Sequence, residues 1–399
     1  LQSGIGQDRG IKALEFGLQV NVKGYNLYIE GPSGVGKTMY TKNYLDKISK
    51  KEKVPSDWCY IYNFNNPNNP IAVSLPAGQG KEFRDNMDGF IKEIKKDIKK
   101  TFNADDFEKE KASIKQQFEE KRSALLEKLN KDALKFDFQV KASQNGIYMM
   151  PIVEGRVVEE DEFNQLEDSI KQEYESKSAV VQEQIMTVIG QIKEIERQSD
   201  KKISEWQSNI ALLTISAHIN FLKSKYKRNK KINAFLNDVK QDVLKNVSYF
   251  LEEDKILEAQ NSNQPGNPAN RVTDPSLNYR VNLFVDNSNK EGSPVIMDSN
   301  YSYSNIFGAL EYENYYGALK TDFTMLKPGL LHQANGGYII FQAKDLLSNP
   351  ACYEVLKKAL RVKELGIEAV PEQRSSMVMI SLRPEPIPLD LKVILIGNS

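Results

Sequence analysis

A glycine-rich motif near the start of the chain has the residue types and the spacing that hold phosphate groups. It fits the pattern G-x-x-x-x-G-K-[ST], in which glycines let successive backbone N–H groups converge on phosphate oxygens. In this pattern Lys37 reaches the outer phosphates, and the Thr38 hydroxyl is a ligand for Mg²⁺. The motif comprises Gly31, Pro32, Ser33, Gly34, Val35, Gly36, Lys37 and Thr38. It predicts a site for ATP and Mg²⁺.

The residues around this motif predict the elements that position it. An apolar strand over 26–29 precedes the motif and a helix is expected from Lys37, so bound phosphates would face a helix N-terminus. Helical and strand patterns alternate over 1–80, which is typical of an α/β sheet. A late apolar strand over 393–396 leads to Asn398. Its amide is expected beside the γ-phosphate, although a lone Asn after a strand is more often a turn former.

A P-loop site usually has a carboxylate at the end of a neighbouring strand, where it holds Mg²⁺. The candidate strand over 337–341 is followed by Gln342 instead of an acidic residue. Asp345, three positions further on, and Asp286, after a strand over 281–285, are alternative carboxylates. Turn capping is the ordinary role of such aspartates. The sequence therefore supports nucleotide binding better than hydrolysis.

Aromatic residues are dense in the segment before that candidate strand. Such density usually indicates a core. However, Tyr315, Tyr316 and Gly317 combine two rings with a flexible position between charged neighbours. That pattern also suits an exposed loop that grips polypeptide.

Composition excludes several classes of protein. The chain has 399 residues, of which 40% are hydrophobic, and this length is typical of roughly two to three domains. Its 54 Lys and Arg residues balance 54 Asp and Glu residues, so no net charge attracts it to nucleic acid or to an acidic membrane. The longest apolar runs have the length of strands and are too short to span a bilayer.

Cysteine and histidine are too sparse to suggest a disulfide framework or a metal site. Cys59 and Cys352 are the two cysteines, which fits a reducing compartment, and we expect the protein in the cytoplasm. His218 and His332 have no carboxylate or second histidine at metal-ligand spacing. Both histidines are therefore predicted to be structural.

Changes in composition divide the chain into segments. Residues 1–81 are expected to form the first part of the nucleotide-binding domain, and residues 277–399 the second part. Residues 82–260 are rich in Lys and Glu, with apolar residues recurring at three and four positions, which predicts a helical coiled-coil arm that pairs as an antiparallel hairpin. Residues 261–276 form a linker rich in Pro and Asn.

A short β element is expected at the tip of the arm, over 136–159. Apolar and aromatic residues alternate there and include Met149 and Met150. Exposed Met side chains adapt to varied apolar partners, so these two residues are candidate contacts for polypeptide substrates. The alternative is that the segment packs on itself as a small subdomain.

Several blocks of the sequence resemble the bacterial Lon-like ATP-dependent proteases, especially the B-type branch with a long helical insertion in its AAA+ module. The likeness covers most of the chain outside the tip of the arm. It implies an α/β P-loop NTPase fold of AAA+ type, interrupted by an α-helical coiled-coil insertion with a small β tip. The blocks include Ile5-Gly6-Gln7-Asp8-Arg9, Gly24-Tyr25-Asn26-Leu27-Tyr28, Asp57-Trp58-Cys59-Tyr60, Leu75-Pro76-Ala77-Gly78, Asn305-Ile306-Phe307-Gly308 and Leu331-His332-Gln333-Ala334-Asn335-Gly336-Gly337-Tyr338.

For function, the resemblance implies a ring of six identical chains that binds ATP between subunits. Such a ring threads unfolded or damaged polypeptide through a central pore into a Ser–Lys protease chamber. The resemblance implies that Tyr315 and Tyr316 grip the substrate and that Asn398 senses the γ-phosphate. Gln342 departs from the family's acidic position. The chain is expected to be the ATPase portion of such a protease, cut before the lid and the protease domain.

Two other classes of protein remain open. An ATP-binding scaffold that does not hydrolyse ATP is permitted by Gln342. A DNA-acting coiled-coil ATPase of the SMC type shares the order of P-loop, coiled coil and late strand. That class would require an L-S-G-G-Q-like signature and basic surfaces for phosphates, and the sequence has neither.

Overall fold

The computed structural model describes residues 8–20, 22, 24–102, 105–143, 146–261, 273–315, 318–367 and 382–398. The chain divides into two units. The first unit comprises Leu1–Ile94, Ala217–Val243 and Val272–Ser399, and the second comprises Lys95–Ser216 and Leu244–Arg271.

Helices and strands follow one another through both units. The elements up to the middle of the chain are α1 (Asp8–Gln19), β1 (Leu27–Ile29), α2 (Lys37–Ser49), β2 (Asp57–Ile61), β3 (Ile71–Leu75), α3 (Gln79–Phe102), α4 (Asp105–Leu134), β4 (Phe138–Ser143), β5 (Gly146–Val153), β6 (Arg156–Val157), α5 (Glu160–Phe163) and α6 (Asp168–Lys225). They are followed by α7 (Lys230–Lys245), α8 (Val247–Asn261), β7 (Val281–Val285), β8 (Val295–Met297), α9 (Tyr303–Phe307), β9 (Ala309–Leu310), β10 (Glu313–Tyr315), β11 (Ala318–Lys320), β12 (Leu326–Lys327), α10 (Leu330–Ala334), β13 (Tyr338–Gln342), α11 (Ala343–Leu347), α12 (Pro350–Val362), β14 (Glu364–Leu365), β15 (Ile387–Pro388) and β16 (Lys392–Ile396).

A four-stranded parallel sheet lies in the first unit, with the strand order β1-β16-β13-β8. Its middle strands are continuous apolar runs, as expected when both faces of a parallel sheet are covered. Ile339 and Phe341 pack with α10, α11 and α12 on one face. Ile340 and Ile394 pack with α1 and α2 on the other face. This sheet agrees with the predicted α/β class.

A second sheet of the first unit is antiparallel, in the order β3-β2-β7. The strand at 71–75 was not expected from the sequence. The Asp57 carboxylate at the start of β2 is fully buried and accepts hydrogen bonds from the backbone N–H groups of Gly80 (2.9 Å) and Asn287 (2.8 Å). It therefore ties β2 to the start of α3 and to the chain that follows β7.

Helix α7 belongs to the first unit, although its sequence lies inside the expected arm over 82–260. Its Phe235 is buried, with its ring 6.5 Å from that of Phe83. The Tyr279 hydroxyl donates a hydrogen bond to the Asp242 carboxylate across 2.7 Å. An amphipathic charged helix has the same pattern whether it packs on another helix or on a sheet, so its sequence did not distinguish the two.

In the second unit α4 and α6 lie side by side and run antiparallel. The Phe107 ring near the start of α4 stacks on Trp206 late in α6, with ring centroids 4.7 Å apart. At the other end, Asp137 follows α4 and pairs with Lys177 near the start of α6 across 2.8 Å. Helix α6 has 58 residues, which corresponds to roughly 87 Å of helix. The expected helical hairpin is present.

A three-stranded antiparallel sheet, β4-β5-β6, lies where the small β element was predicted. Phe138 and Val140 of β4 are buried in an apolar cluster with Leu129 of α4 and Tyr174 of α6. The segment therefore packs on the helices of its own unit.

Tyr315, the described part of the candidate substrate-gripping segment, lies in the second of two successive pairs of antiparallel strands. Strands β9 and β12 form the first pair, and β10 and β11 form the second, with Tyr315 opposite Ala318. His332 of α10 lies fully buried beside the first pair, and its Nδ1 accepts a hydrogen bond from the Gly329 N–H across 3.0 Å. A Cβ atom on Gly308 would lie 3.1 Å from the His332 ring. His332 is thus structural, as predicted.

Two features of the composition can be followed into the structure. Among the described residues, every helix is too short or too polar to traverse a bilayer. Cys59 and Cys352 are both free and buried. Burial raises the pKa of the Cys59 thiol to about 12, so this thiol stays protonated.

Candidate nucleotide-binding site

The carboxyl ends of the four parallel strands meet at one edge of the central sheet. The P-loop follows β1 at this edge, Asn398 follows β16, and Gln342 ends β13 opposite Ile396. In open α/β sheets, ligands bind outside the carboxyl ends of the strands. The sheet therefore gathers residues from both ends of the chain into one candidate site.

The P-loop has the backbone conformation that a phosphate cradle requires. Gly34 and Gly36 have φ angles of 83° and 78°, in the left-handed region that favours glycine. Gly36 is the N-cap of α2, and no side chain caps this helix. The first N–H groups of α2 therefore face the loop without a side-chain acceptor, which is the arrangement that binds an anion.

The Lys37 ammonium lies across this loop. It donates hydrogen bonds to the carbonyl oxygens of Gly31 (2.5 Å) and Pro32 (2.6 Å), and it lies 3.4 Å from the Asn398 amide oxygen. These contacts hold the positive charge inside the loop, next to the helix N-terminus. The structure thus brings together Lys37 and Asn398, which are 361 positions apart in the sequence.

Gln342 contacts the other functional side chain of the P-loop. Its side-chain Nε2 donates a hydrogen bond to the Thr38 hydroxyl oxygen across 3.2 Å. Its backbone N–H donates to the Tyr301 hydroxyl across 2.8 Å. Burial raises the pKa of the Tyr301 hydroxyl, which therefore stays protonated and neutral. Gln342 lies at the expected strand end, and sequence reasoning did not identify Tyr301.

The two alternative carboxylates have different places in the fold. Asp345, in the first turn of α11, lines a pocket of about 400 Å³ together with Gln342, Tyr301 and Asp298. Asp286 follows β7 in the antiparallel sheet, and its carboxylate accepts a hydrogen bond from the Ser288 N–H across 2.8 Å. Asp286 therefore caps a turn outside the parallel sheet, which is the ordinary role that its sequence position also allowed.

Magnesium fits this site poorly. The Thr38 hydroxyl, which would be a metal ligand, is hydrogen-bonded by a neutral amide where a carboxylate is usual. The carboxylates of Asp298 and Asp345 are exposed to solvent. In the part of the chain that the structure describes, no three residues of the types His, Cys, Asp and Glu are grouped to hold a metal ion. The group that contacts Thr38 is therefore neutral, and a Mg²⁺ ion here would depend on the exposed carboxylates of the pocket.

The residues expected to contact substrate lie elsewhere in the chain. Tyr315 ends β10, and Tyr316 lies outside the described residues. Met149 and Met150 are neighbours on β5, so their side chains point to opposite faces of the tip sheet. Met149 is opposite Val140 and packs against the apolar cluster of the tip, so it is not an exposed contact. Met150 is half-buried on the other face.

Two parts of the chain are similar to known protein families. Residues 291–399 match the family described as LonB-like, AAA domain, and residues 57–90 match the Lon-like LonC helical domain. A Lon protease homolog of Escherichia coli (strain K12) is 37% identical over 92 residues, which are 22% of this chain and 15% of that protein. The matched parts of the chain are thus similar to Lon-like proteins.

The match to the LonB-like AAA domain includes three strands of the parallel sheet, β8, β13 and β16. It therefore contains Tyr301, Gln342 and Asn398. The P-loop lies before the matched residues, and its assignment rests on its own motif and geometry. AAA domains bind nucleotides, so the family and the P-loop agree on the class of ligand.

Proposed function

We propose that this chain is the ATP-binding, substrate-engaging and unfolding module of a Lon-like ATP-dependent serine protease. The observation that carries the proposal is the approach of Lys37 in the P-loop to Asn398 at the end of β16. A cation and an amide so placed can both reach the outermost phosphate of a nucleotide whose other phosphates lie in the loop. The AAA match to residues 291–399 supports the same assignment.

The chemistry of binding follows from the chain's own residues. The N–H groups of the P-loop and of the first turn of α2 would donate hydrogen bonds to the β- and γ-phosphates. The Lys37 ammonium has three donors, so it can exchange its carbonyl acceptors for phosphate oxygens while it stays in the loop. Asn398 would contact the γ-phosphate and so distinguish ATP from ADP.

The wider activity is part of the same proposal. We infer a cytoplasmic ring of six copies that threads unfolded or damaged polypeptide through its pore, with Tyr315 and Tyr316 as the gripping residues. Met150 at the tip of the second unit is a further candidate contact for such substrates. The name of the Escherichia coli relative, Lon protease homolog, supports the link to proteolysis.

A second candidate function is an ATP-binding scaffold that does not hydrolyse ATP. The hydrogen bond from the Gln342 amide to Thr38 favours it, because hydrolysis uses a carboxylate at this strand end. The AAA match argues against the third class, the SMC-type ATPases that act on DNA.

Calorimetric titration with ATP tests the nucleotide site. Lys37→Ala should weaken ATP affinity by roughly 10- to 100-fold, because it removes a charge-assisted hydrogen bond of about 1.5–3 kcal/mol. Lys42→Ala is the matched control, since Lys42 is an exposed lysine on the same helix. Equal affinity of the wild type and Lys37→Ala would exclude the assignment.

Binding of a fluorescently labelled unfolded protein in the presence of ATP tests the substrate assignment. Replacing Tyr315 and Tyr316 together by Ala should weaken this binding and leave ATP affinity unchanged. Unaltered binding of the unfolded protein would mean that these tyrosines do not grip substrate.

A further inference from the structure

The hydroxyl of Thr38 is engaged by an amide at the position where a metal ion would bind it. An amide NH₂ group is a donor, so its hydrogen bond to Thr38 Oγ1, 3.2 Å long, uses a lone pair that a cation would otherwise take. Whichever way the Gln342 amide faces, it brings no negative charge to the site. A divalent cation here would lack the anionic protein partner that usually holds it.

The backbone holds Gln342 in this position from two sides. On one side β13 pairs with β16, where Gln342 is opposite Ile396. On the other side the pairing with β8 ends at Ile340 opposite Met297, so Gln342 lies beyond the last strand partner. There the Tyr301 hydroxyl accepts a hydrogen bond from the Gln342 N–H across 2.8 Å. It takes the place of the backbone carbonyl that a longer neighbouring strand would supply. The amide therefore approaches Thr38 from a fixed strand end.

The nearby carboxylates do not replace the missing charge. Asp298 and Asp345 line the same pocket as Gln342, but both are exposed, so water screens their charge. Asp298 is also engaged locally, because it accepts the Asn300 N–H across 2.8 Å. In the described part of the chain, the Thr38 hydroxyl oxygen accepts a hydrogen bond from Gln342.

The positive groups of the site, by contrast, need no metal ion. The Lys37 ammonium and the uncapped first turn of α2 both face the P-loop and both attract phosphate oxygens. We propose that this site binds ATP as the free anion, with an affinity that is nearly independent of Mg²⁺. This inference rests on the proposed nucleotide site and specifies the form of the ligand that the site accepts.

The test is the affinity for ATP measured by calorimetry with excess Mg²⁺ and again with excess EDTA, on the full chain. The wild-type affinities in the two conditions should agree within about threefold. Gln342→Glu has nearly the same shape and adds the missing charge, so its affinity should fall by roughly tenfold or more when Mg²⁺ is removed. Gln342→Asp should show the same dependence and serves as the second variant.

Gln333→Glu is the matched control, because it adds the same charge at an exposed position of α10, and its affinities should match the wild type. A wild-type affinity that drops more than about tenfold in EDTA would overturn the inference. Mg²⁺-independent binding by both Gln342 variants would also overturn the inference, since the Gln342 amide would then not be the cause of the Mg²⁺ independence. Absence of ATP binding in both conditions would instead refute the nucleotide site itself.

Discussion

The side-chain amide of Gln342 donates a hydrogen bond to the Thr38 hydroxyl across 3.2 Å, and the two residues are 304 positions apart in the sequence. This contact joins the end of β13 to the first turn of α2. Both side chains are neutral, so the contact orders the site without supplying the carboxylate that positions Mg²⁺ or an attacking water. Substitutions at Gln342 can therefore test nucleotide binding and hydrolysis separately.

Restoring a carboxylate at this strand end should raise ATP turnover. We expect Gln342→Asp to release phosphate roughly tenfold faster than the wild type or more, because the added charge holds Mg²⁺ against the phosphates. Phosphate release by the purified chain measures this, with Gln333→Asp as the control for added charge. A wild type that already turns over quickly and is slowed by the substitution would show that another acid acts, and Asp345 is the nearest candidate.

The position of α7 predicts which deletions keep the nucleotide site. Removing residues 95–216 and 244–271, with a short linker at each junction, should preserve ATP affinity within about threefold. Removing 83–275 with one linker should abolish it, because this deletion also takes away α7 with its buried Phe235 and Leu236. Calorimetry and circular dichroism on the two variants measure the outcome. Equal behaviour of the two deletions would contradict the assignment of α7 to the first unit.

The two methionines of the tip should respond differently to substitution. Met149→Ser should lower the free energy of unfolding of the second unit by roughly 1–3 kcal/mol, because Met149 packs against an apolar cluster. Met150→Ser should lower the same free energy of unfolding by less than about 1 kcal/mol, because Met150 is half-buried on the opposite face of the sheet. Thermal unfolding monitored by circular dichroism measures both. A reversed order would show that the tip sheet presents the other face to the helices.

Met150→Ser is also the variant with which to test client binding at the tip. If its stability is intact and its affinity for a labelled unfolded protein falls, Met150 contacts substrate. Equal affinity would make the tip purely structural.

His332 should make the first unit less stable in acid. Burial lowers the pKa of His332 to about 3, whereas a histidine in an unfolded chain has a pKa of about 6.5. Between these pH values the unfolded chain binds a proton at His332 that the folded chain excludes. The contribution of His332 to the free energy of unfolding therefore falls by about 1.4 kcal/mol per pH unit as pH decreases. It is fully present above about pH 6.5.

His332→Gln keeps an acceptor for the Gly329 N–H and removes the titration. We expect this variant to lose stability more slowly than the wild type between about pH 6.5 and pH 4, measured by urea unfolding at each pH. Parallel pH dependence in the two proteins would mean that His332 is not buried in the neutral form.

Apolar runs and glycine positions predicted individual strands and helices, whose formation depends on residues close together in the sequence. The strand at 27–29, the helix from Lys37 and the strand at 392–396 were expected from apolar runs and glycines, and the structure has all three. Asn398 and Lys37 were both expected at the outer phosphates, and the structure places the Asn398 amide oxygen 3.4 Å from the Lys37 ammonium. Strand order in a sheet depends on contacts across hundreds of residues, and periodicity carries no information about it.

Two alternatives that the sequence left open depend on the same long-range information. Asp286 follows a strand, as expected, but that strand pairs with β2 in the antiparallel sheet, and the Asp286 carboxylate caps a turn there. For Met149 the sequence left open substrate contact and self-packing of the tip, and the register of β4 against β5 places it opposite Val140 and towards the core. In each case the element was recognised and its long-range partner was not.

The neighbours of β1 have a consequence for the order in which the chain is made. β1 pairs with β16, and Asn26 just before β1 accepts the Val393 N–H from 367 positions away. At roughly 5–20 residues per second, a ribosome needs about 20–70 s to reach that partner after β1 has been synthesised. Throughout this time the P-loop strand has no strand beside it, while the hairpin of the second unit can already fold from local contacts. A nascent chain should therefore acquire its helical unit first and its nucleotide site last.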